Sequence, residues 1–170
     1  METPLFETAR LQIREINSSD FDEMMTVYGD PVAMRWVDDG QPITEKDCRR
    51  WIKITRDNYA NRGYGMFAVE DRRNGSVLGF CGLVHPGGQR TPEIKYALKR
   101  QAWGQGLASE MVPAMLQYAH RVHDLNEVIA TIDPDNLASQ RVVMKAGMEL
   151  TETRRDEAGL PTQVYRWSSY

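Results

Sequence analysis

Two glycines in residues 100–110 are the most chemically suggestive feature of this 170-residue sequence. Gly104 and Gly106 follow a stretch, 91–99, with the character of a strand, and they precede a helical pattern that runs to about Val122. Glycines at such a junction let the backbone turn tightly. The first N–H groups of a helix have no partner inside the helix, and the helix dipole adds partial positive charge there. The sequence therefore predicts an anion site at this junction, and phosphate is the anion that such sites favour.

Two well-known phosphate-binding patterns do not fit the junction. A Walker loop requires Lys and then Ser or Thr after its last glycine, whereas Leu107 and Ala108 follow Gly106. A dinucleotide-binding fingerprint requires a third glycine or an alanine where this chain has Ser109. In proteins with that fingerprint, the acidic residue about 20 positions later lies at the end of the next strand. In this chain the acidic residue at that distance is Glu127, which opens the next predicted strand. On the local sequence alone, an ordinary glycine turn stays open as an alternative.

Four features in order along the chain fit one family: Glu93-Ile94-x-Tyr96, Gln101-x-x-Gly104-x-Gly106, Trp103-Gly-x-Gly-x-Ala108 and Asn136-x-x-Ser139-x-Arg141. In these features the chain resembles the GCN5-related N-acetyltransferases, and within them the branch of RimJ and RimL type ribosomal-protein N-terminal acetyltransferases. The resemblance covers nearly the whole chain. It implies a mixed α/β sheet with two central strands splayed around acetyl-coenzyme A, which serves as the acetyl donor.

The resemblance also implies how the coenzyme is bound. Backbone N–H groups of the glycine segment hold the diphosphate; the segment consists of Gln101, Ala102, Trp103, Gly104, Gln105, Gly106, Leu107 and Ala108. A main-chain N–H near Ala97 or Leu98 polarises the thioester carbonyl. Asn136 hydrogen-bonds the pantetheine arm, or else it merely caps its helix. Arg141 lies near the phosphates, although Arg141 and Lys145 also suit the dipole at a helix end.

The residue at the position of the family's catalytic acid, which protonates the leaving thiolate, differs in this chain. Many relatives place a tyrosine seven residues after the asparagine, and Val143 stands there in this chain. A valine has no proton to give. The resemblance to the RimL-like branch implies Ser139 as the substitute, in contact with the coenzyme and acting as catalytic acid. The alternative is a hydroxyl in the first helical turn that bonds locally to the backbone.

Glu93 is the predicted general base. Alternation along the predicted strand puts Glu93 on the same face as Lys95 and on the face opposite Tyr96. A carboxylate there can accept the amine proton, directly or through water. The alternative is a solvent-facing residue that pairs with Lys95. His85, in the loop before this strand, is the second candidate because histidine titrates near neutral pH.

The remaining elements follow from hydrophobic periodicity and turn signals. Residues 18–20 are expected to cap a first helix, Thr44 opens a long second helix that ends near Gly63, and Asn74-Gly75 marks a hairpin. The predicted strands are 11–16, 65–72, 77–85, 91–99, 128–132, 151–155 and 163–168. Hairpins first and crossovers later indicate a mixed α/β sheet of the α+β kind.

The composition gives no preference for nucleic acid. The net charge is −3, with 26% charged residues. No window approaches about 20 apolar residues, and residues 1–4 lack the features of a signal peptide, so no membrane partner is expected. Cys48 and Cys81 are too few for a disulfide framework and suit a reducing cytoplasm, and apolar neighbours favour a core position for Cys81. We expect residues 1–170 to form a single domain without a metal site, as a monomer or homodimer.

The expected reaction is acetyl transfer from acetyl-coenzyme A to a primary amine. The pKa of a lysine amine is about 10.4 and that of an α-amino group about 7.7–8.0, so an α-amine reaches its neutral form at roughly 3.5 kcal/mol lower cost. A site without an obvious strong base therefore favours a peptide N-terminus. The resemblance also implies that residues 28–37 and the hairpin at 154–162 form the acceptor wall, with Trp36 either lining it or in the core. A small-molecule amine (polyamine, aminoglycoside or amino-acid derivative), a coenzyme A-binding module without catalysis and, more distantly, a dinucleotide-binding protein stay open as alternatives.

Overall fold

The computed structural model describes residues 3–170, which form a mixed sheet covered by helices on both faces. The strands are β1 (Phe6–Glu7), β2 (Leu11–Glu15), β3 (Met66–Asp71), β4 (Val77–Val84), β5 (Glu93–Leu98), β6 (Glu127–Ile132), β7 (Glu149–Arg155) and β8 (Pro161–Ser168). The helices are α1 (Phe21–Tyr28), α2 (Glu45–Arg62), α3 (Leu107–His123) and α4 (Leu137–Lys145), with short 3-10 turns that include Ala33–Trp36 and Arg100–Ala102. The predicted mixed α/β class is confirmed.

The sheet has the order β1-β2-β3-β4-β5-β6-β8-β7. All neighbouring strands are antiparallel except β5 and β6, which are parallel. The predicted hairpin is confirmed: Met66 lies opposite Gly82, and Gly75 in the turn has φ +72°. The final strands do pair, but β8 inserts between β6 and β7, so β7 forms the edge of the sheet.

The centre of the sheet opens between β5 and β6. These strands are in register only where Glu93 lies opposite Ile129, next to a bond from Ile129 N to Pro92 O of 2.9 Å. On its other side, β5 stays paired with β4 as far as Leu98 opposite Gly79. Beyond Glu93, β5 and β6 therefore part, and we call the space between them the β5–β6 gap.

Two hydrophobic clusters cover the two faces of the sheet. On one face, α1 and α2 pack around Phe80 and Ala97, and we call this the α1/α2 face. On the other, α3 and α4 pack around Cys81 and Leu98, and we call this the α3/α4 face. The core position predicted for Cys81 is confirmed, and burial raises the pKa of its thiol. The helix predicted to run to about Val122 is confirmed, since α3 ends at His123, although Val122 itself is exposed.

The expected cap of α1 is wrong in its chemistry. Asp20 occupies the cap position, but its side chain does not cap this helix. It accepts from Arg14 Nη1 and Nη2, both at 2.8 Å, and from Asn17 N at 2.9 Å. The two-pronged pair with Arg14 engages both carboxylate oxygens, which turns the side chain of Asp20 away from the N–H groups of α1. Thr44 does cap α2, accepting from Asp47 N at 3.2 Å. Within residues 3–170, none of the helices has the length and apolar character needed to cross a bilayer.

Candidate active site

The glycine segment leaves β5 through a tight 3-10 turn. Ala102 N donates to Lys99 O at 2.9 Å, and Trp103 N donates to Arg100 O at 3.0 Å. Two of the amides expected to bind diphosphate therefore already have partners within the turn. The side chain of Ala102 lies in the core.

The amides that follow are unpartnered. Gly104 and Gly106 have φ +72° and +75°, a region that L side chains rarely adopt. The first helical bond of α3 runs from Glu110 N to Gly106 O at 3.2 Å. Across the part of the chain that the structure describes, the N–H groups of residues 104–109 have no acceptor, and we call them the amide cradle. A helix start with free N–H groups and an exposed glycine turn suits a phosphate.

Arg10, immediately before β2, holds the cradle, a role that no sequence pattern indicated. Its Nε donates to Glu110 Oε1 and its Nη1 to Gln105 O, both at 2.8 Å. Thr8 Oγ1 also donates to the Glu110 carboxylate. The guanidinium is half exposed, and its Nη2 lies 3.6 Å from where a Cβ on Gly106 would be. A positive charge therefore borders the amide cradle.

Backbone direction separates the two amides considered for carbonyl polarisation. Lys99 N donates to Leu78 O on β4, whereas Pro92 O accepts from β6. Because backbone groups along a strand alternate in direction, the N–H of Ala97 points to β4 and that of Leu98 points into the β5–β6 gap. The Leu98 carbonyl is held by Trp103 Nε1 at 2.9 Å.

Glu93 is buried at the closed end of the gap, with 3% of its surface exposed, so the solvent-facing alternative is wrong. Its Oε2 accepts from Thr131 Oγ1 of β6 at 2.8 Å, and its Oε1 accepts from Gln89 Nε2 at 3.3 Å. Lys95 Nζ lies 3.6 Å from Oε2, so the ion pair that the solvent-facing alternative included does form. The donors fix the carboxylate on the α1/α2 face of the gap.

Ser139 faces the gap from α4 and contacts a residue that the sequence did not single out for catalysis. Its Oγ lies 2.6 Å from the hydroxyl of Tyr96 on β5. Tyr96 is half-buried against the core of the α3/α4 face. Burial raises the pKa of Tyr96 to about 12, although its bond to Ser139 acts in the opposite direction. Two hydroxyls thus meet on the face of the gap opposite Glu93.

The other predicted residues of α4 are placed as follows. Asn136 Oδ1 accepts from Ser139 N at 3.2 Å, so the capping role of Asn136 is confirmed. Val143 is fully buried in the α3/α4 core. Arg141 and Lys145 are exposed.

His85 lies outside the gap and has both ring nitrogens engaged. Its Nε2 is 2.8 Å from Tyr64 Oη, and its Nδ1 is 2.8 Å from Gln89 O. Because a carbonyl oxygen only accepts, Nδ1 must carry a proton and donate to Gln89. The unprotonated Nε2 then faces the Tyr64 hydroxyl, which favours Glu93 over His85 as base.

Three ion pairs fasten residues 23–38, which include the expected acceptor wall at 28–37, to β5 and the turn that follows it. They are Lys95–Asp38 at 3.2 Å, Arg100–Asp30 at 2.6 Å, and Lys99 with Glu23. A cleft of about 640 Å³ lies between the end of α1 and residues 99–101. Trp36 is 38% exposed, so its core alternative is wrong.

Comparison with known proteins identifies the family. Residues 10–149 match the family model described as an acetyltransferase (GNAT) domain. The chain belongs to the GNAT family. The Bacillus subtilis (strain 168) protein YkkB is 31% identical over 166 residues, 96% of this chain and 95% of that protein. The N-acetyltransferase YnaD of the same organism is 29% identical, covering 83% of this chain and 80% of YnaD.

Solved structures agree on the fold. RimL, a ribosomal L7/L12 alpha-N-protein acetyltransferase solved in complex with coenzyme A, superposes with a TM-score of 0.82 over 98% of both chains. Its sequence identity is 16%, so this likeness shows the fold alone. The GNAT fold with splayed central strands is thereby confirmed.

This GNAT protein is an acetyl-coenzyme A-dependent N-acetyltransferase. Its residues fit the coenzyme in two places, because the amide cradle offers unpartnered donors for a diphosphate and the β5–β6 gap offers the Leu98 N–H. When bound, the coenzyme supplies an activated acetyl group as a thioester. No group of three or more metal-binding side chains comes together within residues 3–170.

Proposed function

We propose that this enzyme acetylates the α-amino group of a peptide or protein N-terminus by direct attack on the thioester. The observation that carries the proposal is the placement of a carboxylate and a hydroxyl on opposite faces of one gap. Glu93 lies on the α1/α2 face, and Ser139 lies on the α3/α4 face. An amine that enters from the first face meets a base, and a thiolate that leaves toward the second meets a proton donor.

The roles of the residues follow from this placement. The amide cradle holds the diphosphate, with Gln101 and Arg141 beside it, and Leu98 N–H polarises the acetyl carbonyl. Asn136, already the cap of α4, uses its free amide N–H groups toward the pantetheine arm. Glu93 accepts the proton of the attacking amine, and Ser139 protonates the sulfur. The acetyl group passes directly to the amine, without a covalent acyl-enzyme on cysteine. Cys81 lies on β4 opposite Tyr96 and is fully buried, and burial raises the pKa of its thiol, which keeps it neutral.

The preference for an α-amine rests on the kind of base available. The gap offers a single carboxylate, held by Thr131 and Lys95. The neutral form of a lysine is roughly 3.5 kcal/mol harder to reach than that of an α-amine, so an α-amine needs less help from a base. The structural likeness to RimL, a ribosomal L7/L12 alpha-N-protein acetyltransferase, supports an α-amine acceptor, and membership of the RimJ and RimL type branch is part of the proposal.

The setting of the enzyme is part of the proposal. Residues 1–170 act as a single N-acetyltransferase domain, since one sheet runs through the described chain. Cys48 and Cys81 are free and buried, which suits a protein that works in the reducing cytoplasm.

The test is thiol release from acetyl-coenzyme A with matched acceptors, read out with mass spectrometry of the product. One peptide has a free α-amine and no lysine, and its partner has an acetylated N-terminus and one lysine. Polyamines and aminoglycosides complete the panel. We expect turnover with the first peptide and at least about tenfold less with every other acceptor, and Glu93→Gln should abolish most of it. Preferred turnover of a small amine would replace the proposed acceptor, and coenzyme binding without any turnover would favour a non-catalytic module.

A further inference from the structure

One hydrogen bond links the two sides of the β5–β6 gap on its α3/α4 face. Tyr96 and Ser139 are 43 residues apart in sequence, yet their hydroxyl oxygens lie 2.6 Å apart. The Tyr96 hydroxyl has no other hydrogen-bond partner among the described residues. Ser139 is held from the other side, because its N–H donates to Asn136. The pair is therefore fixed where the leaving sulfur is expected.

A serine hydroxyl alone is a poor source of a proton. An aliphatic hydroxyl is about as weak an acid as water, whose pKa is about 15.7. Burial raises the pKa of Tyr96 to about 12, which still leaves its phenol the stronger acid of the two. When Ser139 gives its proton to a thiolate, the Tyr96 hydroxyl can supply a new proton to Ser139, so that no serine alkoxide accumulates.

Val143 occupies the position on α4 where many relatives have the tyrosine that acts as acid. In this chain its side chain is apolar and enclosed in the core, so it supplies no proton. The phenol of Tyr96 reaches the same face of the gap from β5 and ends on α4 at Ser139. A phenol is thus present at the gap, supplied by the strand and connected through the serine.

We propose that Tyr96 is a positioning residue that acts through Ser139, orienting its hydroxyl and replenishing the proton that Ser139 gives to the leaving sulfur. The proposal rests on the proposed function. As the carbon–sulfur bond breaks, Ser139 Oγ gives its proton to the sulfur and takes one from Tyr96 Oη. The phenolate that results takes a proton from solvent, and the proton lost by the amine leaves through Glu93. Atoms and charges balance without a further reactant.

The experiment compares Tyr96→Phe, Ser139→Ala and the double variant with the wild-type enzyme. Tyr118→Phe is the control, because it removes a buried tyrosine hydroxyl that bonds to His123 at 3.1 Å, away from the gap. For each variant, kcat and KM are measured with acetyl-coenzyme A and the free-α-amine peptide, and coenzyme A affinity is measured by calorimetry. We expect Tyr96→Phe to lower kcat by roughly 10²-fold while KM and coenzyme affinity stay within about twofold. The double variant should be no slower than Ser139→Ala, since residues that act as a unit are not additive.

A readout independent of turnover tests the bond itself. With tyrosine labelled with carbon-13 at Cζ, the Tyr96 resonance is assigned by its loss in Tyr96→Phe. We expect this resonance to shift in Ser139→Ala and on addition of coenzyme A to the wild type, while the Tyr118 resonance does not move.

The outcomes separate this inference from the proposed function. If the wild-type enzyme turns over and Tyr96→Phe is equally active, the proposed role of Tyr96 is overturned while the proposed function stands. The role of Tyr96 is also overturned if the loss in kcat comes with an equal loss of coenzyme affinity, or if the double variant shows the product of the two single losses. A wild-type chain that consumes no acetyl-coenzyme A with any amine overturns both.

Discussion

Gly104 offers the sharpest test of the amide cradle, because the chain contains a matched control for it. Gly104 and Gly75 both have φ +72°, and a Cβ added at either would meet nothing within 4 Å. An alanine at either position therefore carries the same cost of a left-handed backbone, about 1–2 kcal/mol, and no clash. The free energy of unfolding should fall by that amount in both Gly104→Ala and Gly75→Ala.

Coenzyme binding should distinguish the two variants. The methyl group of Gly104→Ala occupies the open space over the cradle, where the diphosphate must approach the backbone. A hydrogen bond to a charged group contributes about 1.5–3 kcal/mol, so the loss of one bond weakens binding about 10- to 150-fold. Gly75→Ala should bind coenzyme A like the wild type.

Two assays decide the matter. Chemical denaturation gives the change in unfolding free energy, and calorimetric titration gives the coenzyme A affinity. The reasoning is refuted if Gly104→Ala binds coenzyme A as tightly as the wild type does. It is equally refuted if Gly75→Ala weakens binding to the same extent, because strain alone would then explain the effect.

Three further predictions concern single residues. Glu93→Gln should lower kcat by about 10²–10⁴-fold at unchanged coenzyme affinity, and a smaller loss than that seen in Ser139→Ala would argue against its role as base. Arg10→Ala removes a partly exposed ion pair that contributes about 1 kcal/mol, so the melting temperature should fall by only about 2–4 °C. Its coenzyme KM should nevertheless rise several-fold, because Gln105 loses its bond to Arg10. An unchanged KM would contradict the role of Arg10 in holding the amide cradle. Burial lowers the pKa of His123 from 6.5, so unfolding takes up a proton, and the stability present above pH 6.5 is lost as the pH falls toward the lowered value. The drop in melting temperature between pH about 7.5 and about 5.5 should therefore be smaller in His123→Gln, and an equal drop would remove His123 as its cause.

The cradle was predictable because its determinants are local. Positive φ at Gly104 and Gly106, the start of α3 and the strand before it all follow from residue types within a short stretch. The sequence could not show which amides stay free. The 3-10 turn uses the N–H groups of Ala102 and Trp103, and this depends on how the chain leaves β5.

The contacts that complete the site join residues far apart in the chain. Arg10 reaches Glu110 across 100 positions, and Tyr96 reaches Ser139 across 43. Alternation correctly placed Tyr96 opposite Glu93, but it does not reveal what covers either face. The carboxylate of Glu93 is buried because β6 brings Thr131 against it, a consequence of strand order and of crossovers that no local pattern encodes.

A crystal structure of the chain with coenzyme A tests the central claim most directly. The account predicts diphosphate oxygens about 2.7–3.2 Å from amide nitrogens of residues 104–109, and the sulfur in the β5–β6 gap beside Ser139, on the side away from Glu93. A coenzyme bound elsewhere on the surface, or a sulfur outside the gap, would contradict it.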